Sequence, residues 1–276
     1  MGRESELRRP WRLLLFVAVV AMAIVGVASF AAPGWASSDF PWKVGPFLTM
    51  TIGGWCIGTA IIAWLAARQP RLDLGFPLLV YCWIFGAGQA LVVIAFLDKL
   101  LTNHLLTVPY LVGIGAMTLS GVIGAVDLWR RRAAVRGPAE HVPMPARVFA
   151  GLYVVGVALI ALGNLVAGAD GTVAQGRFFP EALGLFSIRA LAAFFFALSM
   201  AGLGAVITRG LGPYLSLGRA GFALIVPITF AALVNLPLFD FAGRPGGSLY
   251  LGAYLVVGGL ILVALVLGRS TRREHA

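Results

Sequence analysis

The amino-acid sequence predicts an all-α integral membrane protein with eight transmembrane helices, and three observations lead to that prediction. Of the 276 residues, 60% are hydrophobic and 12% are charged, with a mean hydropathy of +0.93. A water-soluble surface needs roughly a quarter of its residues charged, so this chain has too few for one. The apolar residues form eight runs of about 20 residues, the length that crosses a hydrocarbon layer about 30 Å thick. The basic residues gather on one side of those runs.

The eight predicted spans are continuous apolar runs. A membrane β-strand would instead alternate apolar and polar residues over about ten positions, so helices are favoured over a barrel. In chain order the predicted spans are 11–31, 47–67, 76–97, 105–129, 148–167, 183–208, 214–236 and 249–267.

Lys and Arg residues are distributed unequally between the two faces that these spans define. Of the 21, Lys43, Lys99, Arg177 and Arg244 lie on one face, Arg189 lies inside a span, and all others lie on the opposite face. Cytoplasmic loops carry the excess of positive charge, so both termini are predicted in the cytoplasm. The formal charge of +10 is then mainly a topology signal that also suits anionic lipid head groups. No loop is long enough for a nucleic-acid-binding module.

The first span is predicted to be an uncleaved helix rather than a secretory signal, because its apolar run approaches 20 residues. Arg-rich, Lys-poor composition is typical of GC-rich bacteria, so the expected location is the plasma (inner) membrane. Cys56 and Cys82 lie in neighbouring spans, roughly 9 Å apart in depth at 1.5 Å per residue. We therefore expect them to be small packing residues and not a disulfide.

Three short patterns occur twice in the chain, in the same order. FPWKVGPF at 40–47 and FPEALGLF at 179–186 share F-P-x-x-x-G-x-F, 139 residues apart. PRLDLG at 70–75 and PYLSLG at 213–218 share P-x-L-x-L-G, 143 apart, and are expected in the cytoplasmic turn before the third helix of each unit. YLVGIG at 110–115 and YLVVGG at 254–259 share Y-L-V-x-x-G, 144 apart. Three ordered matches predict a duplicated four-helix unit.

Each unit contains an even number of spans, so both copies share one orientation in the membrane. The chain is thus predicted to form two tandem parallel four-helix repeats (4+4) around a pseudo-two-fold axis along the membrane normal. The predicted organisation is a first repeat at 1–132, a basic cytoplasmic linker at 133–147, and a second repeat with a short basic tail at 148–276.

Small residues spaced by four allow helices to approach closely in lipid. Gly54 and Gly58 have this spacing in the second span, and Ala193, Ala197, Ala201 and Ala205 have it in the sixth. Because these spans are repeat equivalents, we expect them to meet near the pseudo-axis, with Gly58 and Ala197 at matching positions.

Arg189 is the clearest candidate for a functional residue, because an ionisable group inside a span costs about 3 kcal/mol to insert. It lies roughly 9 Å below the outer boundary, and its repeat counterpart is Met50. Three carboxylates are predicted on the same side, where a cluster with Arg189 would bind an anionic or zwitterionic group. The structural alternatives are an ion pair or a long side chain that reaches the interface. The candidate ligand-binding residues are Arg189, Asp98, Asp240 and Glu181.

Other polar residues within or near the spans are more simply structural. Gln89, Asn164 and Asn235 carry amides, and an amide in a membrane helix usually hydrogen-bonds to a neighbouring helix.

No cofactor is expected. His104, His141 and His275 lie at a rim or in cytoplasmic segments, so no pair of histidines can hold a haem within the bilayer. Lys43 and Lys99 lie in loops, which excludes a retinal Schiff base in mid-helix. The chain has no G-x-S-x-G, H-E-x-x-H, P-loop or C-x-x-C motif.

The favoured hypothesis is a non-enzymatic scaffold or accessory subunit that packs with membrane lipids and partner membrane proteins. The alternative is a small-molecule or lipid transporter with an outward-facing site between the halves near Arg189. A third hypothesis is a lipid-modifying enzyme that uses the outer Arg and Asp residues. A transporter should have a polar, water-accessible cavity between the halves, whereas a scaffold should have a packed interior and exposed apolar grooves.

Overall fold

The computed structural model describes residues 9–69, 72–130, 142, 144–168, 183–208, 210–243 and 246–273. This part of the chain is 87% helical and contains no β-strand. Eight helices are long and apolar enough to cross a membrane, which confirms the predicted number of spans. A ninth helix is short. In chain order they are α1 (Arg9–Ala31), α2 (Pro33–Ser38), α3 (Pro46–Arg68), α4 (Leu72–Ala95), α5 (Thr107–Arg130), α6 (Met144–Val166), α7 (Leu185–Thr208), α8 (Leu211–Val234) and α9 (Gly246–Arg273).

The short elements lie between the long helices. Helix α2 was not predicted, since its six residues are too few to produce a hydrophobic run. It begins at Pro33, and α3 begins at Pro46; proline suits the first turn because the backbone N–H there has no partner within the helix. Single 3₁₀ turns, Leu97–Lys99 and Leu236–Leu238, follow α4 and α8.

In chain order the helices form a first group, α1 to α5, and a second group, α6 to α9, which pack closely on each other. Within the first group, α1 packs on α3 and α5, and α4 packs on α5 and α3. Within the second, α6 packs on α7, α8 packs on α9, and α7 touches α8. Between the groups, α4 packs on α7, α3 packs on α8, and α4 also contacts α8.

The glycines of the second span do not face the sixth span as expected. A Cβ at Gly58 would lie 2.8 Å from the Leu224 Cα, and one at Gly54 would lie 3.2 Å from the backbone of Ile228. Both contacts are with α8, so the predicted partner of these glycines was wrong. Helices α3 and α7 meet through larger side chains instead, because Trp55 stacks on Phe194 with ring centroids 4.3 Å apart.

The cysteines are free and buried, as expected for packing residues. Two of the repeated patterns occupy different positions relative to the helix starts. Gly75 is the fourth residue of α4 and Gly218 the eighth of α8, so both lie within helices rather than in a turn. Tyr110 is likewise the fourth residue of α5, whereas Tyr254 is the ninth of α9.

Candidate functional site

Arg189 lies in the second turn of α7 and binds the end of the adjacent helix α6. Its Nη1 donates a hydrogen bond to the Asn164 carbonyl at 2.6 Å, and its Nη2 donates to the Ala167 carbonyl at 2.9 Å. The last carbonyls of a helix lack partners within it and form the negative end of its dipole. The guanidinium therefore stabilises the negative end of α6.

The candidate carboxylates make other contacts. Asp98 pairs with Lys99 at 3.0 Å, and both side chains are 66% exposed. Asp240 accepts a hydrogen bond from the Gly243 N–H at 2.8 Å within its own turn. Glu181 lies outside the described residues. The structure thus places Asp98 and Asp240 in exposed turns and does not bring either into an ion pair with Arg189.

The intramembrane amides divide into two kinds. Gln89 of α4 is 2% exposed, and its Nε2 donates a hydrogen bond to the Ala190 carbonyl of α7 at 2.9 Å. This bond confirms the expected contact between neighbouring helices. Its Oε1 accepts from the Tyr110 hydroxyl at 3.0 Å. Asn164 instead donates to the carbonyl of Ile160 in its own helix. Asn235 donates to its own helix and, at 3.4 Å, to the Met50 sulfur of α3.

A cavity of about 460 Å³ lies among the four helices of the second group. This volume is within the range of about 300–1,000 Å³ that is usual for sites of small ligands. Most of its lining is aliphatic or aromatic, and its polar side chains are Tyr153, Asn164, Tyr250 and Tyr254. The apolar lining includes Val157, Ile160, Phe194, Phe195, Leu198, Leu224, Ile225, Ile228, Val257 and Ile261.

The cavity exists because the second group of helices is less completely packed than the first. In the first group α1 packs on α5, and a Cβ at Gly113 would lie 2.5 Å from the Met22 Cε. In the second group, the pair formed by α6 and α9 is not among the helix pairs with extensive contact. Helix α9 packs mainly on α8, and space remains between α9 and α6.

The chemistry of this site favours binding over reaction. Its polar groups are phenols and one amide, which form hydrogen bonds but supply no acid–base pair at neutral pH. Among the described residues, no group of three or more His, Cys, Asp or Glu side chains could hold a metal ion.

Sequence reasoning missed this cavity. The available signal was the spacing of Tyr250 and Tyr254, four apart on one face of an apolar helix, with ring centroids 4.8 Å apart in the structure.

Comparison with known protein families, curated proteins and solved structures finds no match to this chain, so its own residues must carry any inference about function.

Proposed function

We propose that this chain is a non-enzymatic polytopic membrane protein that serves as a scaffold or accessory subunit, packing with membrane lipids and partner membrane proteins. The observation that carries the proposal is the dense packing between the two groups of helices, where a transporter would place its path. The exposed apolar surface of the second group supports it further.

The interface between the groups brings helix backbones close together. On one side, Gly54 and Gly58 of α3 lie against α8. On the other, Gly88 of α4 would place a Cβ 2.9 Å from that of Ala193, and Gly204 of α7 lies against Pro77. Ala197 is 0% exposed and lies one turn below Ala193, on the same face of α7. Such contacts leave little room for a polar solute.

Two helices of the second group have largely unburied apolar surfaces. Only 6% of the most apolar stretch of α6 is buried, and 12% of that of α9, compared with 78% for α3. An exposed apolar surface is normal against lipid, and it is also where a partner helix can pack by close van der Waals contact. We propose that this side of the protein meets the partner.

We also propose that the two groups are tandem parallel repeats. Helices α3, α4 and α5 begin 139 residues before α7, α8 and α9, respectively. The contacts between groups are consistent with this shift. When each helix is replaced by its counterpart in the other group, the α4–α7 contact becomes an α8–α3 contact, and both contacts are present. A pseudo-two-fold axis near α4 and α8 accounts for both observations.

The proposed location is the plasma (inner) membrane of a bacterium, with both termini in the cytoplasm. The asymmetry of Lys and Arg between the loops supports this orientation.

The packed interface can be tested by thiol accessibility. We expect an Ala197→Cys variant in a bilayer to resist a small charged methanethiosulfonate reagent added to both sides of the membrane, because water does not reach that position. The measurement is the mass shift of the intact protein before and after denaturation. The native Cys56 and Cys82, both buried, should behave in the same way.

Thr102→Cys, in the exposed loop before α5, is the matched control and should react at once. Rapid modification of Ala197→Cys in the folded protein would contradict the scaffold proposal and favour a transporter with an aqueous path between the groups.

A further inference from the structure

The cavity in the second group of helices has the length of one lipid chain. Asn164 and Tyr153 are eleven residues apart on α6, as are Tyr250 and Ile261 on α9, and all four line the cavity. At 1.5 Å per residue these separations correspond to roughly 16 Å along the helices. A hydrocarbon layer about 30 Å thick contains two opposed chains, so each occupies about 15 Å.

The lining of the cavity favours an apolar occupant of small cross-section. Its volume of about 460 Å³ is within the range of sites for small ligands. A single hydrocarbon chain is the occupant that this apolar lining favours, since its burial leaves no polar group unpaired.

A cation lies next to one end of the cavity and contacts a residue of its lining. Arg189 binds the carbonyl of Asn164, which lines that end, and Tyr250 lines the same end from the first turns of α9. A guanidinium has five N–H donors, and Arg189 gives two hydrogen bonds to carbonyls of α6. The side chain is only partly buried, so its remaining donors can reach an anion. Phosphate is the anion whose geometry an arginine matches best.

We propose that this cavity binds one hydrocarbon chain of an anionic glycerophospholipid, with the phosphate at Arg189. The chain lies along Val157, Ile225 and Val257 towards Tyr153, and the glycerol esters lie near Asn164 and Tyr250. The proposal goes beyond the scaffold function, which does not require a lipid at one defined place.

The test uses the full chain in phosphatidylcholine nanodiscs that contain a trace of phosphatidylglycerol with a diazirine in its acyl chain. After irradiation, peptide mass spectrometry should find adducts concentrated on the lining residues of α6, α8 and α9. A phosphatidylcholine probe with the same chain should give about fivefold fewer adducts, because its choline cation lies next to the phosphate and offsets the attraction of that phosphate to Arg189.

Two neighbouring valines of α9 provide a matched pair. Val257→Trp fills the cavity and should abolish the concentrated adducts, whereas Val256→Trp, at a residue 62% exposed, should leave them unchanged. Arg189→Gln should reduce the phosphatidylglycerol adducts to the phosphatidylcholine level. If Arg189→Gln folds poorly, the Val257→Trp result decides whether the lipid chain occupies the cavity.

Adducts spread evenly over the outer faces of α1 and α5, or unaffected by Val257→Trp, would overturn the proposal. So would displacement by free palmitate at the same concentration as the phospholipid, which would assign the cavity to a free fatty acid. A lipid-free dimer that covers the cavity would overturn it too. None of these outcomes alters the Ala197→Cys measurement, so failure of this proposal and failure of the scaffold function are distinguishable.

Discussion

Three polar side chains within the long helices donate hydrogen bonds to backbone carbonyls of neighbouring helices. Arg189 of α7 binds the end of α6, Gln89 of α4 binds the Ala190 carbonyl of α7, and Ser199 binds the Val154 carbonyl of α6 at 2.9 Å. A polar group left unpaired in lipid costs several kcal/mol, on the order of the desolvation of an amide. These bonds therefore join particular pairs of helices at fixed heights.

Gln89→Met is expected to destabilise the protein by about 1 kcal/mol, within the range measured for hydrogen bonds between membrane helices. The substitution keeps the length of the side chain but removes its bonds to Ala190 and Tyr110. The free energy of unfolding in mixed micelles of detergent and SDS measures the effect. Combining it with Tyr110→Phe should show a coupling of about 0.6 kcal/mol. Thr118→Val removes only a bond within α5, and an equal loss there would contradict the proposed role of Gln89.

Arg189 was predictable from the sequence as a residue of interest, but its partners were not. A charged residue in an apolar run can be recognised in the sequence. The partners of Arg189 are the backbone carbonyls of Asn164 and Ala167, and every residue has such a carbonyl. They become special only because α6 ends at Val166 beside the second turn of α7. The height of one helix end against another depends on packing, which no single sequence pattern encodes.

Close approach between helices depends on glycines at a few contact points. A Cβ added at Gly53 of α3 would lie 2.6 Å from the backbone nitrogen of Phe30 in α1. A Cβ at Gly86 of α4 would lie 2.7 Å from the backbone nitrogen of Thr118 in α5. Backbone atoms cannot rotate away as side chains can, so the helices would have to separate. These glycines set the distances of the α1–α3 and α4–α5 pairs.

Gly53→Ala should therefore destabilise the protein by about 1–3 kcal/mol, the usual cost of overpacking a filled core. Gly115→Ala on α5 is the control, because no atom lies within 4 Å of its added Cβ. Alanine is the better helix former by about 1 kcal/mol, so the control should be neutral or stabilising. Thermal unfolding in one detergent measures both variants. If they lose stability equally, the cost would reflect the loss of glycine itself rather than contact with α1.

The spans were predictable because hydropathy over about 20 residues reports the solvent around a helix directly. Their partners were not, as Gly58 shows: the spacing of Gly54 and Gly58 predicted a close contact but not that the contact would be with Leu224. The separations of 143 and 144 residues between two of the patterns differ by four and five residues from the separation of the helix starts, since α4 and α8 begin 139 apart. Short apolar patterns can recur one helical turn out of register, so they do not define which helix positions correspond.

The two groups of helices differ in how far they close around their own centres. In the first group α1 packs on α5, and the interior contains the stacked rings of Tyr81 and Phe85. In the second, α9 packs mainly on α8 and a cavity remains. Under the proposed duplication, the closed copy can supply stability and the open copy can supply a binding site. We therefore expect ligands and partners at α6 and α9.

The orientation of the whole molecule gives the last prediction. A membrane-impermeant maleimide added outside intact cells should label Thr102→Cys, in the loop before α5, and should label Gln69→Cys, between α3 and α4, only after the membrane is opened. The reason is that the sequence predicts 16 of the 21 Lys and Arg residues on the side of Gln69, and an excess of positive charge is typical of cytoplasmic loops. Cys56 and Cys82 are buried and provide an internal negative control. Labelling of Gln69→Cys from outside would reverse the orientation and place Arg189 in the cytoplasmic half of the membrane.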